Sequence, residues 1–277
     1  MKQAIITILR MARIYHPLQS GYRSLLNRMR KLYYRLAYSR YRGTGFSCNF
    51  CGAVYQHFVP EYPGIRIRAV LDQYQVIAGY GDNVFCPGCM SKNRERLLKA
   101  VLTDHVVLKG KKILHCSPEP ALHQFLKHDS NIITADLEPG FYRSVNKDVQ
   151  FADVTALPFE DESIDIIVAN HILEHIPDDI QAISEFHRVI KTGGLAILQV
   201  PYSEVLPATL EDKTIKDPHQ QEKLFGQKDH VRIYALPDYL SRVKQCGFKV
   251  TVLSPASLAI YQKHAIQETE SVFIFYK

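Results

Sequence analysis

From residue 112 onward, short apolar runs alternate with segments in which apolar residues recur every three or four positions. This alternation predicts an α/β fold: a Rossmann-like, doubly wound and mostly parallel sheet of seven strands, covered by helices on both faces. Two further observations concern the preceding residues. Two Cys-x-x-Cys pairs predict a small zinc-ribbon-like module, and a basic, acid-free start predicts an amphipathic N-terminal helix.

These patterns divide the chain of 277 residues into three predicted parts. Residues 1–45 form a basic amphipathic helical segment, residues 46–96 the four-cysteine module, and residues 97–277 the α/β domain. No run approaches the roughly 18 apolar residues that span a bilayer, and no cleavage site of a signal peptide follows the short apolar start. We therefore expect a cytoplasmic protein.

The basic charge belongs to one end of the chain. Residues 1–45 contain ten Lys or Arg and no acidic residue, so the net charge of +6 leaves −4 for the remainder. Leu, Met and Tyr recur at helical spacing over residues 22–38, and most Arg and Lys lie on the other side. We expect residues 1–42 to contact an anionic membrane at its inner face. Continued sedimentation with anionic vesicles after deletion of this segment would contradict that interpretation. Docking on the protein itself or on a partner is the main alternative, and binding of single-stranded nucleic acid is less favoured.

The elements of the α/β domain follow from the same periodicities. Strands are predicted at residues 113–116, 132–136, 164–169, 195–200, 248–253 and 271–276, and helices at 121–128, 180–190 and 236–245. The second of these helices is expected to end at Gly193, since glycine suits the left-handed conformation of a helix terminus. Residues 65–70 and 74–77 are predicted as strands of the cysteine module, and residues 97–108 as a helix that leads into the domain.

Polar residues fall at the predicted strand ends. In a doubly wound sheet, ligands bind beyond the carboxyl ends of the strands, where the strand order reverses. Asp136 ends the second strand, where a carboxylate can accept both hydroxyls of a ribose. Asp153 with apolar Val154 suits an adenine, whose amine needs an acceptor and whose ring needs a packing surface. Asn170 and His171 end the fourth strand.

The central part of the chain resembles a class I S-adenosylmethionine-dependent methyltransferase. The resemblance is carried by Phe151-Ala-Asp153-Val-Thr-Ala-Leu-Pro158-Phe, Ser163-Ile-Asp165-Ile-Ile-Val-Ala-Asn170-His171-Ile-Leu-Glu174-His175-Ile and Arg188-Val-Ile-Lys191-Thr-Gly193-Gly194. It implies that Asp136 binds the ribose and Asp153 the adenine of S-adenosylmethionine. It also implies that the methyl donor and the acceptor meet near Asn170.

The first turn departs from the family pattern. The family usually has a glycine-rich loop here, which lets backbone approach the cofactor. This chain has His115-Cys116-Ser117-Pro118-Glu119-Pro120-Ala121, similar to a subgroup that also carries a cysteine module. Prolines remove backbone donors, whereas Glu119 can accept a hydrogen bond from the ammonium group of the cofactor. The predicted cofactor-binding residues are His115, Ser117, Glu119, Asp136, Leu137, Asp153, Val154 and Asn170.

The acceptor side is less well defined by the sequence. Methyl transfer to oxygen or nitrogen needs positioning and a base, for which His230 and His175 are the candidates. Related small-molecule and sugar methyltransferases carry a histidine in a similar place, although a lone histidine is often structural. His171, Arg232 and Tyr234 are the predicted acceptor-binding residues, with a surface salt bridge as the alternative for Arg232. The polar stretch 203–229 is expected to cap the acceptor pocket.

Cys48, Cys51, Cys86 and Cys89 predict a structural zinc ion, because two Cys-x-x-Cys turns supply four thiolates with little strain. A redox pair or free thiols are the alternatives. Four thiolates leave no open coordination position, so no catalytic metal is expected. The module is predicted to support or cover the acceptor pocket. Residues 91–96 either face the active site or begin a solvated helix.

Together these patterns predict transfer of the methyl group of S-adenosylmethionine to an oxygen or nitrogen of a small molecule. The resemblance alone suggests a sugar or glycan precursor as that acceptor. One alternative is a non-catalytic, zinc-stapled scaffold or binding protein with a degenerate cofactor loop. Another is an RNA-modifying methyltransferase, which the basic, Tyr-rich N-terminal segment would suit.

Overall fold

A computed structural model describes residues 15–277, apart from the side chains of residues 15–20, 22–24 and 129. The helices are α1 Tyr15–Ala37, α2 Ile65–Gln73, α3 Asn93–His105, α4 Pro120–Asp129, α5 Pro139–Tyr142, α6 Asp179–Val189, α7 Pro218–Phe225, α8 Leu236–Gln245 and α9 Pro255–Leu258. Short 3₁₀ turns lie at Ser39–Tyr41, Leu173–His175 and Ala259–His264. The strands are β1 Arg42–Ser47, β2 Val54–Tyr55, β3 Val59–Glu61, β4 Val76–Ile77, β5 Gly81–Phe85, β6 Lys112–Cys116, β7 Asn131–Asp136, β8 Gln150–Phe151, β9 Ile164–Ala169, β10 Ile190–Ile197, β11 Tyr202–Ser203, β12 Leu210–Glu211, β13 Arg232–Ala235, β14 Lys249–Leu253 and β15 Val272–Tyr276.

The central sheet has seven strands in the order β14-β15-β10-β9-β6-β7-β8. Strands β6 to β10 run parallel, and β15 pairs antiparallel with both β10 and β14. The predicted Rossmann-like, mostly parallel sheet is therefore confirmed. Its strand order reverses between β6 and β9, which places the crevice for a ligand at the carboxyl ends of these two strands.

Helices cover both faces of this sheet, which explains the continuous apolar runs of its central strands. On one face, Ile183, Phe186 and Val189 of α6 pack with Ile164 and Ile167 of β9. On the other face, the inward side chains of α3 and α4 pack with β6, β9 and the C-terminal strand β15; they include Leu98, Val101, Leu122 and Leu126.

A smaller sheet links the cysteine module to the domain. Its strand order is β12-β13-β11-β4, and β4 pairs antiparallel with β11 through Ile77 and Tyr202. The module thus contributes one strand beside the carboxyl edge of the main sheet. Residues 203–229, predicted to cap the acceptor pocket, contain β12 and α7.

The prediction of a strand at residues 65–70 is wrong, because these residues begin helix α2. The alternating Ile and Arg residues imitate the period of a strand, but Ile65 is 85% exposed. Val70 is buried against Phe225 and Ile233 of the domain, so packing against α7 and β13 decides the conformation.

Helix α6 ends at Val189, and Gly193 is not its terminus as predicted. The chain passes directly into β10, whose pairing with β9 shifts register between Ile190 and Leu195. Gly193 has φ +78° within this irregularity. A Cβ atom at Gly194 would lie 2.7 Å from the carbonyl oxygen of Asp165, so the second glycine allows close approach of β9.

Helix α1 starts earlier than predicted, and residues 1–14 of the basic segment lie outside the described residues. Arg35 donates to the carbonyl oxygen of Gly88, and Tyr34 and Tyr38 pack on the cysteine module. The apolar side remains exposed through Leu25, Leu26, Met29, Leu32, Tyr33 and Leu36. Membrane contact by this face stays a prediction. Within residues 15–277, none of the helices combines the length and apolar character needed to cross a bilayer.

Candidate active site

A pocket of about 500 Å³ opens at the carboxyl ends of β6, β7 and β9. Five of the predicted cofactor-binding residues line it: Ser117, Asp136, Leu137, Asp153 and Val154. His171 and His175 form its opposite wall. The pocket is large enough for a nucleoside-sized ligand, because ligand sites in proteins commonly measure about 300–1,000 Å³.

Hydrogen bonds from neighbouring residues orient Asp136. Its Oδ2 atom accepts from the hydroxyl of Ser117 at 2.6 Å, and its Oδ1 atom from the backbone N–H of Glu138 at 2.6 Å. Ser117 has φ +48° and takes the tight turn that a glycine takes in the family pattern. The carboxylate is thus held at the pocket wall, as binding of a ribose requires.

Asp153 lies at the other end of the pocket. Its Oδ1 atom accepts from both the N–H and the hydroxyl of Thr155, at 2.9 and 2.7 Å. Val154 and Ile172 supply apolar surface beside it. A carboxylate next to an apolar wall is the arrangement expected for an adenine, although the role of each residue stays a prediction.

Glu119 does not lie free in the pocket. Its two oxygens accept hydrogen bonds from Nε of Arg94 at 2.7 Å and from Nδ2 of Asn170 at 2.8 Å. Burial is the largest influence and alone would raise the pKa of Glu119, but the charge of Arg94 and the hydrogen bonds from Asn170 and Arg94 together outweigh it and the pKa is lowered. An ammonium group would therefore compete with Arg94. Glu119, Asn170 and Arg94 line an adjoining cavity of about 270 Å³, which shares Ser117 and His171 with the pocket.

The first turn of α4 is capped from within the protein. Oε1 of the buried Glu95 accepts from the backbone N–H groups of Ala121 and Leu122, at 2.9 and 3.2 Å. Pro118 and Pro120 have no such donor. This turn therefore has few free backbone N–H groups, and side chains would supply most contacts to a cofactor.

His115 is wrongly placed in the predicted cofactor site. It lies within β6 with 1% of its surface exposed, and neither ring nitrogen has a partner among the described residues. The nearest aromatic ring is that of His123, 6.4 Å away. Burial lowers the pKa of His115 to about 4, so the ring is neutral at pH 7.

We expect His115→Leu to stabilise the protein by about 1 kcal/mol at pH 7, since it removes an unsatisfied buried polar group. The wild type should lose stability as the pH falls from about 6.5 towards 4, because only the unfolded state takes up this proton there. The loss should reach about 2 kcal/mol at pH 5 and be absent from the variant. Urea unfolding at pH 7 and pH 5 measures both effects, with exposed His219→Leu as the control; equal acid sensitivity of wild type and variant would contradict them.

A second cavity of about 250 Å³ lies behind the histidine wall of the pocket. It is lined by His171, Glu174, His175 and His230, and on the other side by Lys92 and Arg94. His171 and His175 border both spaces. The two predicted bases are therefore brought together, with ring centroids 4.6 Å apart.

Arg232 and Tyr234 do not reach either cavity, contrary to the prediction of acceptor binding. Arg232 is buried, and its guanidinium donates to the carbonyl oxygens of Leu173, Ile176 and Pro177 and to Glu211. The hydroxyl of Tyr234 donates to Asp179 at 2.8 Å. Both residues hold the 3₁₀ turn that carries Glu174 and His175, and the surface salt bridge considered for Arg232 is in fact a buried network.

The four cysteines of the module converge. The Sγ atoms of Cys48 and Cys89 are 3.6 Å apart, and those of Cys51 and Cys86 are 3.7 Å apart. All four ligand atoms lie within 4.8 Å of one another. A tetrahedral zinc ion with Zn–S bonds of about 2.3 Å requires sulfur atoms about 3.8 Å apart, so the cluster fits this metal.

Residues 116–198 match the family model of a methyltransferase domain. The matched segment carries the residues from the first turn to the histidine wall, and it supports the resemblance to class I S-adenosylmethionine-dependent methyltransferases. The cysteine module and His230 lie outside it.

Known proteins resemble parts of this chain. Malonyl-[acyl-carrier protein] O-methyltransferase 1 of Coxiella burnetii is 32% identical over 81 residues, which are 29% of this chain and 27% of that protein. Demethylmenaquinone methyltransferase of Staphylococcus epidermidis is 36% identical over 55 residues, 20% of this chain and 23% of that protein. The chain thus spans about a quarter of the length of these relatives. The solved S-adenosylmethionine-dependent methyltransferase of Mesorhizobium loti aligns with 65% of this chain and 96% of its own, at 10% identity and a TM-score of 0.47.

Proposed function

We propose that this protein transfers the methyl group of S-adenosylmethionine to an oxygen or nitrogen of a small molecule. The observation that carries the proposal is the pocket that Asp136 and Asp153 share at the reversal of strand order. The match of residues 116–198 to a methyltransferase domain supports the same reaction class. A sugar or glycan precursor as the acceptor rests on family resemblance alone.

The residues of the pocket fit this cofactor. Asp136 would bind the ribose hydroxyls, with its carboxylate held by Ser117. Asp153 would accept the adenine amine, while Val154 packs against the ring. Bound S-adenosylmethionine supplies an electrophilic methyl group. His171 and His175 border both that pocket and the second cavity, so an acceptor in the second cavity would meet the methyl group beside these two side chains.

The residues around the second cavity can position an acceptor and take its proton. The cofactor would supply the methyl group with its sulfur as the leaving group, and the residues of the cavity would have to place the acceptor atom in line with it. The proton of the acceptor has to leave, and His175 or His230 lies in the cavity to receive it. Lys92 and Arg94 also line this cavity, where they are paired with Glu61 and Glu119.

We also propose a structural zinc ion on Cys48, Cys51, Cys86 and Cys89, supported by the convergence of their sulfur atoms. The module would then hold Lys92 and Arg94, which follow shortly after Cys89, at the edge of the second cavity.

One observation favours the alternative of a non-catalytic binding protein. Glu119 is occupied by Arg94 and Asn170, and Glu95 caps the amides of α4, so the first turn offers a cofactor few free groups. A chain that keeps the pocket but binds the cofactor poorly would have this arrangement.

Calorimetry with S-adenosylmethionine separates the two functions. We expect binding by the wild-type protein and at least tenfold weaker binding by Asp136→Ala, about 1.4 kcal/mol. The exposed Asp148→Ala is the control and should bind normally. Absence of binding by the wild type at millimolar ligand would remove the enzymatic proposal, whereas an unchanged affinity of Asp136→Ala would mean that the ribose lies elsewhere.

A further inference from the structure

Glu174, His175 and His230 form a compact group on the wall of the second cavity. Each offers one potential ligand atom, and these atoms lie within 4.8 Å of one another. Glu174 and His230 are 1% and 4% exposed, and His175 borders both cavities. Two imidazoles and one carboxylate come from two chain segments, the 3₁₀ turn Leu173–His175 and the residues before β13.

This group contains polar atoms without partners. The Oε2 atom of Glu174 and the Nε2 atom of His230 are buried, and neither forms a hydrogen bond within the described part of the chain. Buried polar atoms are nearly always hydrogen-bonded, so two unpartnered atoms in one cluster indicate that a ligand binds there. A carboxylate oxygen and an imidazole nitrogen are both metal ligands.

The carboxylate of Glu174 lacks a cationic partner of its own. Within the described residues, it forms no ion pair with a lysine or arginine; its neighbours are His171 at 3.4 Å and His175 at 3.9 Å. Lys92 and Arg94 across the cavity are paired with Glu61 and Glu119. A buried carboxylate is costly without a compensating positive charge, which a metal ion would supply.

The surroundings also orient the ligands. Nδ1 of His175 lies 3.2 Å from the carbonyl oxygen of Asp229, which can only accept, so this nitrogen carries the proton. The lone pair is then on Nε2, the nitrogen nearer to Glu174. Metal-bound histidines commonly donate their second ring N–H to a carbonyl or carboxylate in this way. His171 contacts the Oε1 atom of Glu174 and fixes the carboxylate from the other side.

We propose that Glu174, His175 and His230 bind a divalent transition-metal ion, with Zn²⁺ as the best match to two imidazoles and one carboxylate. This site is separate from the four-cysteine cluster. Three protein ligands leave a coordination position open towards the cavity. If the proposed methyl transfer is correct, on which this role rests, the ion would bind the acceptor oxygen there and lower the pKa of its hydroxyl, so that the proton leaves to solvent and neither His175 nor His230 acts as the base.

The test counts metal ions on the full-length protein. The chain is loaded with zinc, dialysed to retain one ion per chain, and titrated calorimetrically with Zn²⁺ and, in parallel, with Co²⁺ followed by visible absorption. We expect one further equivalent, whose Co²⁺ spectrum lacks thiolate charge-transfer bands. Glu174→Gln and His175→Ala should each weaken this equivalent at least tenfold, while exposed His219→Ala should leave it unchanged.

Two results would overturn the site: no second equivalent in the wild type, or a second equivalent that neither Glu174→Gln nor His175→Ala weakens. His175 is partly exposed, so its variant remains informative if Glu174→Gln folds poorly. Asp136→Ala should keep the second ion. Metal binding without S-adenosylmethionine binding would therefore support the metal site and reject the proposed function. Binding of S-adenosylmethionine without a second metal ion would support the function and reject the metal site.

Discussion

Replacement of Cys86 by serine is expected to abolish zinc binding at the four-cysteine cluster and to unfold the module of residues 46–96. Structural zinc in small modules contributes an apparent binding free energy of about 10–16 kcal/mol, and folding depends on it. The module has little else to hold it together. Its two apolar clusters contain few buried side chains, and its strands β1, β2, β3 and β5 form two-stranded sheets.

Unfolding of the module should also affect the cofactor pocket. Glu95, in the first turn of α3 shortly after Cys89, accepts from the backbone N–H groups of Ala121 and Leu122 and so caps α4. Once the module unfolds, this cap and the turn before α4 that carries Ser117 lose their support. We therefore expect weaker binding of S-adenosylmethionine by Cys86→Ser even though residue 86 does not line that pocket.

Metal analysis and limited proteolysis test this prediction. The variant should lack the zinc ion of the cluster and be cleaved within residues 46–96, while the α/β domain resists. Cys246→Ser is the matched control, because Cys246 lies outside the cluster and its Sγ atom forms hydrogen bonds with Ser184 and the carbonyl oxygen of Ile180. A variant at Cys86 that keeps its zinc and its resistance to protease would show that the cluster is not a metal site.

The parts of this fold that the sequence predicts are those governed by local pattern. Parallel strands buried on both faces require apolar runs, so β6, β9 and the start of β7 are recognisable without tertiary information. The carboxyl ends of such strands coincide, and this explains why Asp136 and Asp153 reach one pocket although 16 residues separate them. The two Cys-x-x-Cys pairs likewise predict that the four sulfur atoms lie close together.

Other features depend on contacts that no local pattern records. The alternation of Ile and Arg before Val70 is compatible with a strand, and only the buried contact of Val70 with Phe225 selects a helix. Arg232 and Tyr234 stand beside His230 in the sequence, yet β13 directs them into the support of Glu174 and His175. The sequence analysis does not single out Glu174, whose proposed role depends on its burial beside His175 and His230. Its signal is a carboxylate between two histidines in an otherwise apolar stretch.

Replacement of Arg96 is also expected to have a large effect, in this case on the free energy of unfolding. The sequence predicts that residues 91–96 either face the active site or begin a solvated helix. Arg96 is instead fully buried, with its guanidinium over the ring of Phe58 at 4.7 Å. Burial lowers the pKa of Arg96 to about 10, so it stays charged at neutral pH. It donates hydrogen bonds to the carbonyl oxygens of Asn83, Val84, Ser91, His264 and Ala265.

These five acceptors belong to β5, to the residues just after the second cysteine turn, and to the end of the 3₁₀ turn before β15, which is distant in sequence from the first two. Arg96 is therefore the internal tie between the module and the C-terminal part of the domain. A methionine would fill much of the volume but leave all five carbonyl groups without this donor. We expect Arg96→Met to reduce the free energy of unfolding by about 3–5 kcal/mol, because several buried carbonyl groups lose their donor and each unsatisfied buried group costs about 1–3 kcal/mol.

Two further variants separate the geometry of the guanidinium from its charge. Arg96→Lys keeps the positive charge but has three donors on one nitrogen, so it cannot serve carbonyl groups on several sides, and we expect an intermediate loss. Arg66→Met, an exposed change in the same module, should change stability by less than about 0.5 kcal/mol. Urea unfolding gives the three free energies, and protease cleavage within residues 46–96 reports where the structure loosens. If Arg96→Met unfolds like Arg66→Met, the module is held to the domain by its β4–β11 pairing and the zinc cluster, and the buried guanidinium is dispensable.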